Sequence, residues 1–393
     1  MDENSWLPLF LKQFWIFWLI LILTIFKIIP FYYLIIGYLV FCLYHHLISY
    51  TELIYTKNTD IEEIIKKSNL ESFKFKPSFF IPITPLQFIN LSRTKVKTKH
   101  KISVQRKYIG KNGVCLDWIK YEGINTQNRP ILIIFPGLTG SVNDPYVINI
   151  ANECIINGGF NTCIYQMRLL NDQLKVEKRY LFLIDDIDEA LDEIRKEYGE
   201  NINIYGIGFS YGANQLVKYL GQKNYLKKKI NAGVSICNPF EFIISSRLGL
   251  NKLYNRMLLM FLQKVVVKTR KNLEDLKLDV NFLLNDNNLK NFDDFYTAKI
   301  FGFSCADEYY RNVSSVNEMK NINVPLLCIN AKDDQICFEE SIPYDDIKLN
   351  KNIALLHTSH GTHSAFIEND GIFGVKQWTP KPVVSFLKAF ENK

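Results

Sequence analysis

Ile202-Asn203-Ile204-Tyr205-Gly206-Ile207-Gly208-Phe209-Ser210-Tyr211-Gly212-Ala213-Asn214-Gln215-Leu216 passes from strand-like to helical spacing across a single serine. Ile202 to Ile207 reads as a buried strand, and Tyr211 to Leu220 reads as a helix. A bare G-x-S-x-G pattern is common by chance. Here Gly208 and Gly212 bracket the serine where a strand ends and a helix begins, the context in which that pattern makes a nucleophile turn. The two glycines let the chain take a strained turn that lifts Ser210 clear of the sheet.

Working outward, strands and helices alternate on both sides of this turn. Ile131 to Phe135 is a continuous apolar run ending at Pro136-Gly137, and Asn161 to Tyr165 reads as a second strand. Leu181 to Tyr198 has helical spacing, with Ile184, Ile187, Ala190, Leu191 and Ile194 on one stripe. Ala232 to Ile236, Pro325 to Asn330 and Ile353 to His357 supply further strands. Such alternation predicts an α/β fold, a mostly parallel central sheet with helices on both faces. Between Pro239 and Asp307 the alternation lapses into amphipathic material such as Met257 to Val267. We read that stretch, about 239–307, as a helical cap inserted over the carboxyl edge of the sheet, the usual place for ligands.

A serine hydroxyl becomes nucleophilic only when a base takes its proton, and that base must be oriented by an acid. Three histidines follow Ser210, namely His357, His360 and His363, all in one short stretch. His363 comes after the glycine turn that follows the last strand, where the base is expected. His357, at a strand end, reads as structural, and His360 is the reserve base. For the acid, Leu326-Leu327-Cys328-Ile329-Asn330 leads into Ala331-Lys332-Asp333-Asp334, and Asp334 lies 29 positions before His363. Adjacent aspartates in a loop are more often simply solvated. Asp334 is favoured because the acid sits late in such a turn. Two backbone N–H donors must also face the developing oxyanion. Tyr211, after the nucleophile, is one, and Leu138 in Pro136-Gly137-Leu138-Thr139-Gly140-Ser141 is the other.

Composition narrows the classes of function. The chain has 393 residues, 48% hydrophobic and 22% charged, so wholesale disorder is excluded. A net charge of +7 is too modest to imply a nucleic-acid partner. The eight cysteines are dispersed with no C-x-x-C pair, which excludes a zinc ribbon, a thioredoxin-type motif and a compact disulfide scaffold. They read as reduced, mostly buried thiols.

The first 50 residues are exceptional. Phe14 to Phe26 is a run of 13 residues in which only Thr24 is polar, and Ile28 to Tyr44 adds 17 more without a charge. A bilayer core needs ~20 apolar residues of helix. Residues 1–50 therefore read as a membrane anchor, either one tilted helix with Lys27 snorkelling or a hairpin bent near Pro30. The acidic start and the missing small-residue cleavage site argue against a signal peptide. Thr51 to Leu70 reads as an amphipathic helix. Ser72 to Leu116 carries ten basic residues and no acidic one, including Lys95, Lys97, Lys99 and Lys101. Those lysines suit either a solvated strand face or contact with anionic headgroups. We read residues 51–100 as an amphipathic and basic connector, and residues 101–393 as the α/β domain.

Several stretches occur together in an order that resembles a known group: Pro136-Gly137-Leu138-Thr139-Gly140, the Ser210 turn with Gly212-Ala213-Asn214, Asn238-Pro239-Phe240, Tyr309-Tyr310-Arg311, Asn330-Ala331-Lys332-Asp333-Asp334 and the His363 segment. They look like the membrane-anchored lipid esterases of AB hydrolase family 4, over roughly residues 75–390. The resemblance implies an α/β-hydrolase fold, one N-terminal anchor and a triad of Ser210, Asp334 and His363. It also implies hydrolysis of monoacylglycerols, phospholipids or medium-chain esters, with alcohol acyl transfer in some members. Some positions depart from the pattern. An Arg-Gly turn is replaced by Met167-Arg168-Leu169-Leu170, Gln335 stands where proline is common, and Thr362 replaces a glycine. Tyr211 is larger than usual, and no histidine begins the H-x-x-x-x-D motif linked to acyl transfer. None of these changes removes a catalytic atom. The expected activity is a membrane-bound serine ester hydrolase acting on acyl lipids; the alternatives are an alcohol acyltransferase using the same triad and a catalytically silent lipid-binding protein of the same fold. No metal or organic cofactor is implied.

Overall fold

The architecture comes from a computed structural model, which describes residues 22, 30–94, 100–110, 114–126, 128–138, 140–167, 184–222, 229–249, 252–275 and 278–391. Nine strands form the central sheet: β1 (Thr51–Tyr55), β2 (Ile102–Ile109), β3 (Val114–Tyr121), β4 (Ile131–Phe135), β5 (Asn161–Gln166), β6 (Ile204–Phe209), β7 (Ala232–Ile236), β8 (Leu326–Ala331) and β9 (Ile353–Thr358). Their order is β1-β9-β8-β7-β6-β4-β5-β3-β2. The six strands β4 to β9 pair in parallel, and β1, β2 and β3 add antiparallel edges. A separate hairpin, β10 (Ile367–Asp370) with β11 (Gly374–Gln377), follows the sheet, and the Pro380–Lys388 helix comes after it.

Every residue of β4 and of β6 to β9 is buried. A parallel sheet covered on both faces produces this, which is why these strands read as unbroken apolar runs rather than alternating ones. Two clusters of buried side chains fill the two faces, one including Leu132, Ile134, Ile207 and Val234, the other Ile131, Ile133, Leu216 and Leu326. Strand order reverses beside β4, whose neighbours are β6 and β5. The carboxyl edge at such a reversal is where open α/β sheets form a crevice. Ser210 follows β6 at that edge.

Between β7 and β8 the chain inserts helices at Phe242–Leu248, Lys252–Asp275, Val280–Asn285, Leu289–Phe292, Ala298–Phe301 and Ala306–Val313. They bury Leu259, Leu262, Val266 and Leu273 in a cluster of their own, against which Leu138 packs from the sheet's carboxyl edge. These helices occupy the stretch of about 239–307 read as an inserted cap and run on to Val313.

One expected element is corrected. Thr51 to Leu70 is not helical throughout: Thr51–Tyr55 is an edge strand antiparallel to β9, and the helix is confined to Asp60–Lys67. Thr51, Leu53, Ile54 and Tyr55 suit a pleated half-buried surface, and Thr51 Oγ accepts the Phe75 N–H at 2.9 Å. The segment read as a connector thus supplies part of the sheet. Upstream, Tyr32–Ile48 is a helix that turns Cys42 and His45 inward. Among the described residues, no helix is long and apolar enough to cross a membrane. Phe14 to Phe26, apart from Ile22, lies outside the described residues, as do Lys95, Lys97, Lys99 and Arg168 to Leu170.

Candidate active site

Ser210 stands between β6 and the Tyr211–Leu220 helix with φ 51° and ψ −118°. A non-glycine residue at positive φ is strained, and such strain persists where the surroundings over-determine it. Here the surroundings are backbone. A Cβ on Gly208 would meet the backbone of Gly212 and Ala213, and one on Gly212 would meet the carbonyl oxygens of Phe135 and Pro136. Both glycines of the motif are required by close approach. The Ser210 N–H donates to Ile236 O of the neighbouring strand at 2.8 Å, which ties the turn to the end of β7.

The loop after β4 lies directly against this turn: a Cβ at Gly137 would sit 3.4 Å from Ser210 Cβ. Gly137 N–H donates to Tyr146 Oη at 3.3 Å and Gly140 N–H to Gly137 O at 2.9 Å. The Leu138 N–H lies between these two engaged groups and is the candidate oxyanion donor on this side. Tyr211 opens its helix, so its N–H is one of the first-turn donors that lack an intrahelical acceptor and carry the positive end of the helix dipole. Its side chain has a second use that the sequence did not disclose. The buried Tyr211 hydroxyl lies 3.4 Å from that of Tyr309, joining the Tyr211–Leu220 helix to the inserted Ala306–Val313 helix.

The structure brings Asp334 and His363 together. His363 Nδ1 lies 2.9 Å from Asp334 Oδ2 and 3.2 Å from Oδ1. Asp334 Oδ1 also accepts the N–H groups of Ile336 and Cys337 at 2.8 and 2.9 Å. Three donors on one buried carboxylate hold it as an acceptor, so the ring donates through Nδ1, which leaves Nε2 as the ring's acceptor nitrogen. Asp333, one residue earlier, points elsewhere. It takes the Thr84 hydroxyl at 2.9 Å and the Thr362 N–H at 2.8 Å, and burial pushes its carboxyl up to about 7. The reading of adjacent aspartates as merely solvated fails for this one, because Thr84 and Thr362 close over it.

Cys237, just past β7, connects the Ser210 turn to the His363 turn. Its Sγ accepts the Ser364 N–H at 3.2 Å and lies 3.7 Å from Thr362 O, so it touches the peptide on both sides of His363. Thr362 and Ser364 both adopt positive φ, as does Cys237. Among the described residues, Cys237, Asp334 and His363 form a group of potential metal donors within 4.8 Å of one another. These donors are already engaged: the ring with the carboxylate, and the sulfur with the Thr362–Ser364 backbone. Burial, with Asp334 nearby, also pushes the thiol well above its ordinary range. The chemistry of the set is that of an oriented base beside an uncharged thiol.

The other two histidines are placed apart. His357 is fully buried in β9 with Tyr344 Oη 3.3 Å from either ring nitrogen, and burial lowers its pKa to about 4. His360 was the reserve base, and that expectation is corrected: its Nε2 lies 2.9 Å from His45 Nδ1 and its Nδ1 2.9 Å from Ser359 Oγ. With both nitrogens engaged and its pKa driven to about 4 by burial, it is unsuited to take a proton from Ser210. The His45 contact links positions 315 apart in sequence, and nothing local marks it.

Residues 130–370 match the family model described as the alpha/beta hydrolase fold. The embryogenesis-associated protein EMB8 of Picea glauca is 30% identical over 294 residues, covering 70% of this chain and 64% of that protein. The monoacylglycerol lipase of Saccharomyces cerevisiae is 30% identical over 284 residues, covering 67% and 60%. Phospholipase ABHD3 of Bos taurus is 28% identical over 268 residues, covering 65% and 64%. The chain spans a little under two thirds of the length of these relatives.

Proposed function

The chain belongs to the alpha/beta hydrolase fold family, and from that premise we propose that it is a serine carboxylic ester hydrolase of acyl lipids, held at a membrane by its N-terminal segment. His363 takes the proton of Ser210, whose oxygen attacks the ester carbonyl. The Leu138 and Tyr211 N–H groups receive the oxyanion, and Asp334 steadies the imidazolium. The alcohol leaves with the proton from His363, and a water molecule activated by the same ring releases the fatty acid from the acyl-serine. The observation that carries this reading is the Asp334–His363 pair at 2.9 Å, together with a serine held at φ 51° where β6 passes into its helix.

The lipid substrate class is supported by two relatives whose names are monoacylglycerol lipase and phospholipase, and by the family 4 resemblance of the ordered motifs. Membrane attachment is supported by the apolar run Phe14 to Phe26 and by the exposed aliphatic side chains of the Tyr32–Ile48 helix. Covalent labelling by a fluorophosphonate, with and without Ser210→Ala, tests the nucleophile. Labelling of the native chain that disappears in the variant is expected, and an unlabelled native chain refutes a working site. Turnover of a panel of ester lipids, repeated with added alcohol, then identifies the headgroup and separates hydrolysis from acyl transfer.

A further inference from the structure

The Tyr32–Ile48 helix reverses the usual arrangement of a surface helix. Its buried side chains are Cys42 and His45, whereas Ile36, Val40, Leu43 and Leu47 are 49, 61, 47 and 67% exposed. A helix packed on a domain in water turns its aliphatic stripe inward. The apolar surface continues beyond the helix. Tyr38 Oη donates to Phe80 O at 2.5 Å, and the Phe80 ring stacks on Phe373 with centroids 5.8 Å apart and planes 22° apart.

Phe373 and its neighbour Ile372 form the tip of the β10–β11 hairpin and are 77 and 76% exposed. Tight turns are normally built from Gly, Asn, Asp, Ser and Pro, so two large apolar side chains at a tip need a reason. The stem behind them is charged: Lys376 pairs with Asp370 at 3.0 Å, and Lys381 with Glu368 at 3.5 Å. The hairpin is fixed to the segment that carries Phe80, because Ser78 N–H donates to Ile367 O at 2.8 Å and Ser78 Oγ to Asn369 Oδ1 at 2.8 Å. An apolar tip, a charged collar and a rigid mount together match an element that crosses from hydrocarbon to the headgroup layer.

We propose that Ile372 and Phe373, with Phe80, insert into a lipid surface beside the Tyr32–Ile48 helix and form a second membrane contact remote in sequence from the first. The occupant follows from continuity. In the sequence the exposed helix follows Pro30 and the run Phe14 to Phe26, whose composition suits hydrocarbon. The inference rests on the membrane-bound reading above and deepens it. Ile367 lies only four residues after His363, and a four-residue strand spans roughly 13 Å. A hairpin seated in the bilayer therefore holds the His363 turn near the interface, where an acyl ester can enter without crossing water.

The test uses the full chain on phosphatidylcholine vesicles. With lipids brominated on the acyl chains, Phe373→Trp is expected to show quenching in excess of the native chain. In the Ile372→Glu/Phe373→Glu double variant, hydrolysis of a long-chain ester embedded in vesicles should fall at least tenfold, with a water-soluble short-chain ester unaffected. No excess quenching while the protein sediments with vesicles overturns the proposal, as does an equal loss on both substrates. A native chain that turns over neither ester refutes the hydrolase reading instead, and the quenching still reports on the tip.

Discussion

The Thr362 N–H donates to Asp333 Oδ1 at 2.8 Å, so the residue before the candidate base is held by the residue before the candidate acid. Two consecutive aspartates thus grip two consecutive residues of the His363 turn, one through backbone and one through the ring. The tasks separate by substitution. Asp333→Asn keeps an acceptor for Thr362, and its amide can donate to the Thr84 hydroxyl, so ester turnover should stay within several-fold of native. Asp334→Asn presents an amide where the ring must donate, which selects the wrong tautomer, and kcat should fall on the order of 10⁴-fold. Steady-state kinetics on a soluble ester compares them, and equal losses would refute the assignment of Asp334.

Asp333 also makes a prediction about stability. Its carboxyl is raised to about 7 in the folded chain, chiefly by burial, against about 3.9 when unfolded. The folded state therefore binds more protons between these values, and stability is full below pH ~4 and declines as pH rises towards 7. The loss is on the order of a few kcal/mol. Asp333→Asn removes this group from titration, so its stability relative to native should improve as pH rises from 4 to 7. Urea denaturation across that range measures the difference, and a flat difference would contradict the buried, proton-retaining carboxyl.

His357 has the opposite sign. Burial lowers its pKa to about 4, below the ordinary value of about 6.5, so its contribution is present above 6.5 and is lost as pH falls towards 4. Tyr344 contacts this ring, Glu339 and Lys332 act on it through their charge, and Glu52 and Asn330 are its cross-strand partners. Tyr344 Oη retains Glu339 at 3.2 Å, so His357→Phe leaves the hydroxyl paired. The variant should lose less stability than native on acidification from pH 6.5 to 4, by on the order of a few kcal/mol. Parallel urea midpoints over that interval would count against it.

How much was legible depended on burial. Strands β4, β7 and β9 were readable to within a residue because a sheet covered on both faces leaves continuous apolar runs bounded by Gly, Pro and Asn. Ser210 was readable because its strained turn needs glycine on both sides. The cap was readable only as an interruption, since Lys252–Asp275 spends its apolar stripe on the cap's own small cluster. The hydrogen bonds of Asp333 to Thr84 and Thr362, the sulfur of Cys237 and the His45–His360 contact were not legible. Each depends on chain segments that meet only after the sheet has formed. Edge strand β1 was misread because charged neighbours and a following helix gave Thr51 to Leu70 a helical average.

The triad roles predict non-additive losses. Ser210→Ala should abolish acyl transfer while leaving the fold intact, because the turn is held by its flanking glycines and by the Ser210 N–H on Ile236 O. His363→Ala should cost a similar factor. Combining the two should add little, since a base without a nucleophile has nothing to activate. Burst kinetics with a chromogenic ester reads the acyl-serine directly. Losses that multiply in the double variant would mean that the two side chains act independently, contrary to the mechanism.

Gly212→Ala separates the turn from its chemistry. Gly212 contributes no functional atom, yet a methyl there would meet the carbonyl oxygens of Phe135 and Pro136. Backbone cannot swing aside as a long side chain can, so β4 must move away from the elbow helix or the helix must tilt. Overpacking of this kind costs ~1–3 kcal/mol or more. The same movement would widen the gap between the Leu138 and Tyr211 N–H groups, which sit on the two sides of that contact. Gly212→Ala should therefore lower the unfolding midpoint and, in whatever protein remains folded, reduce kcat more than it raises KM. A variant with native midpoint and native kcat would show that the glycine is not needed to seat the serine turn against β4.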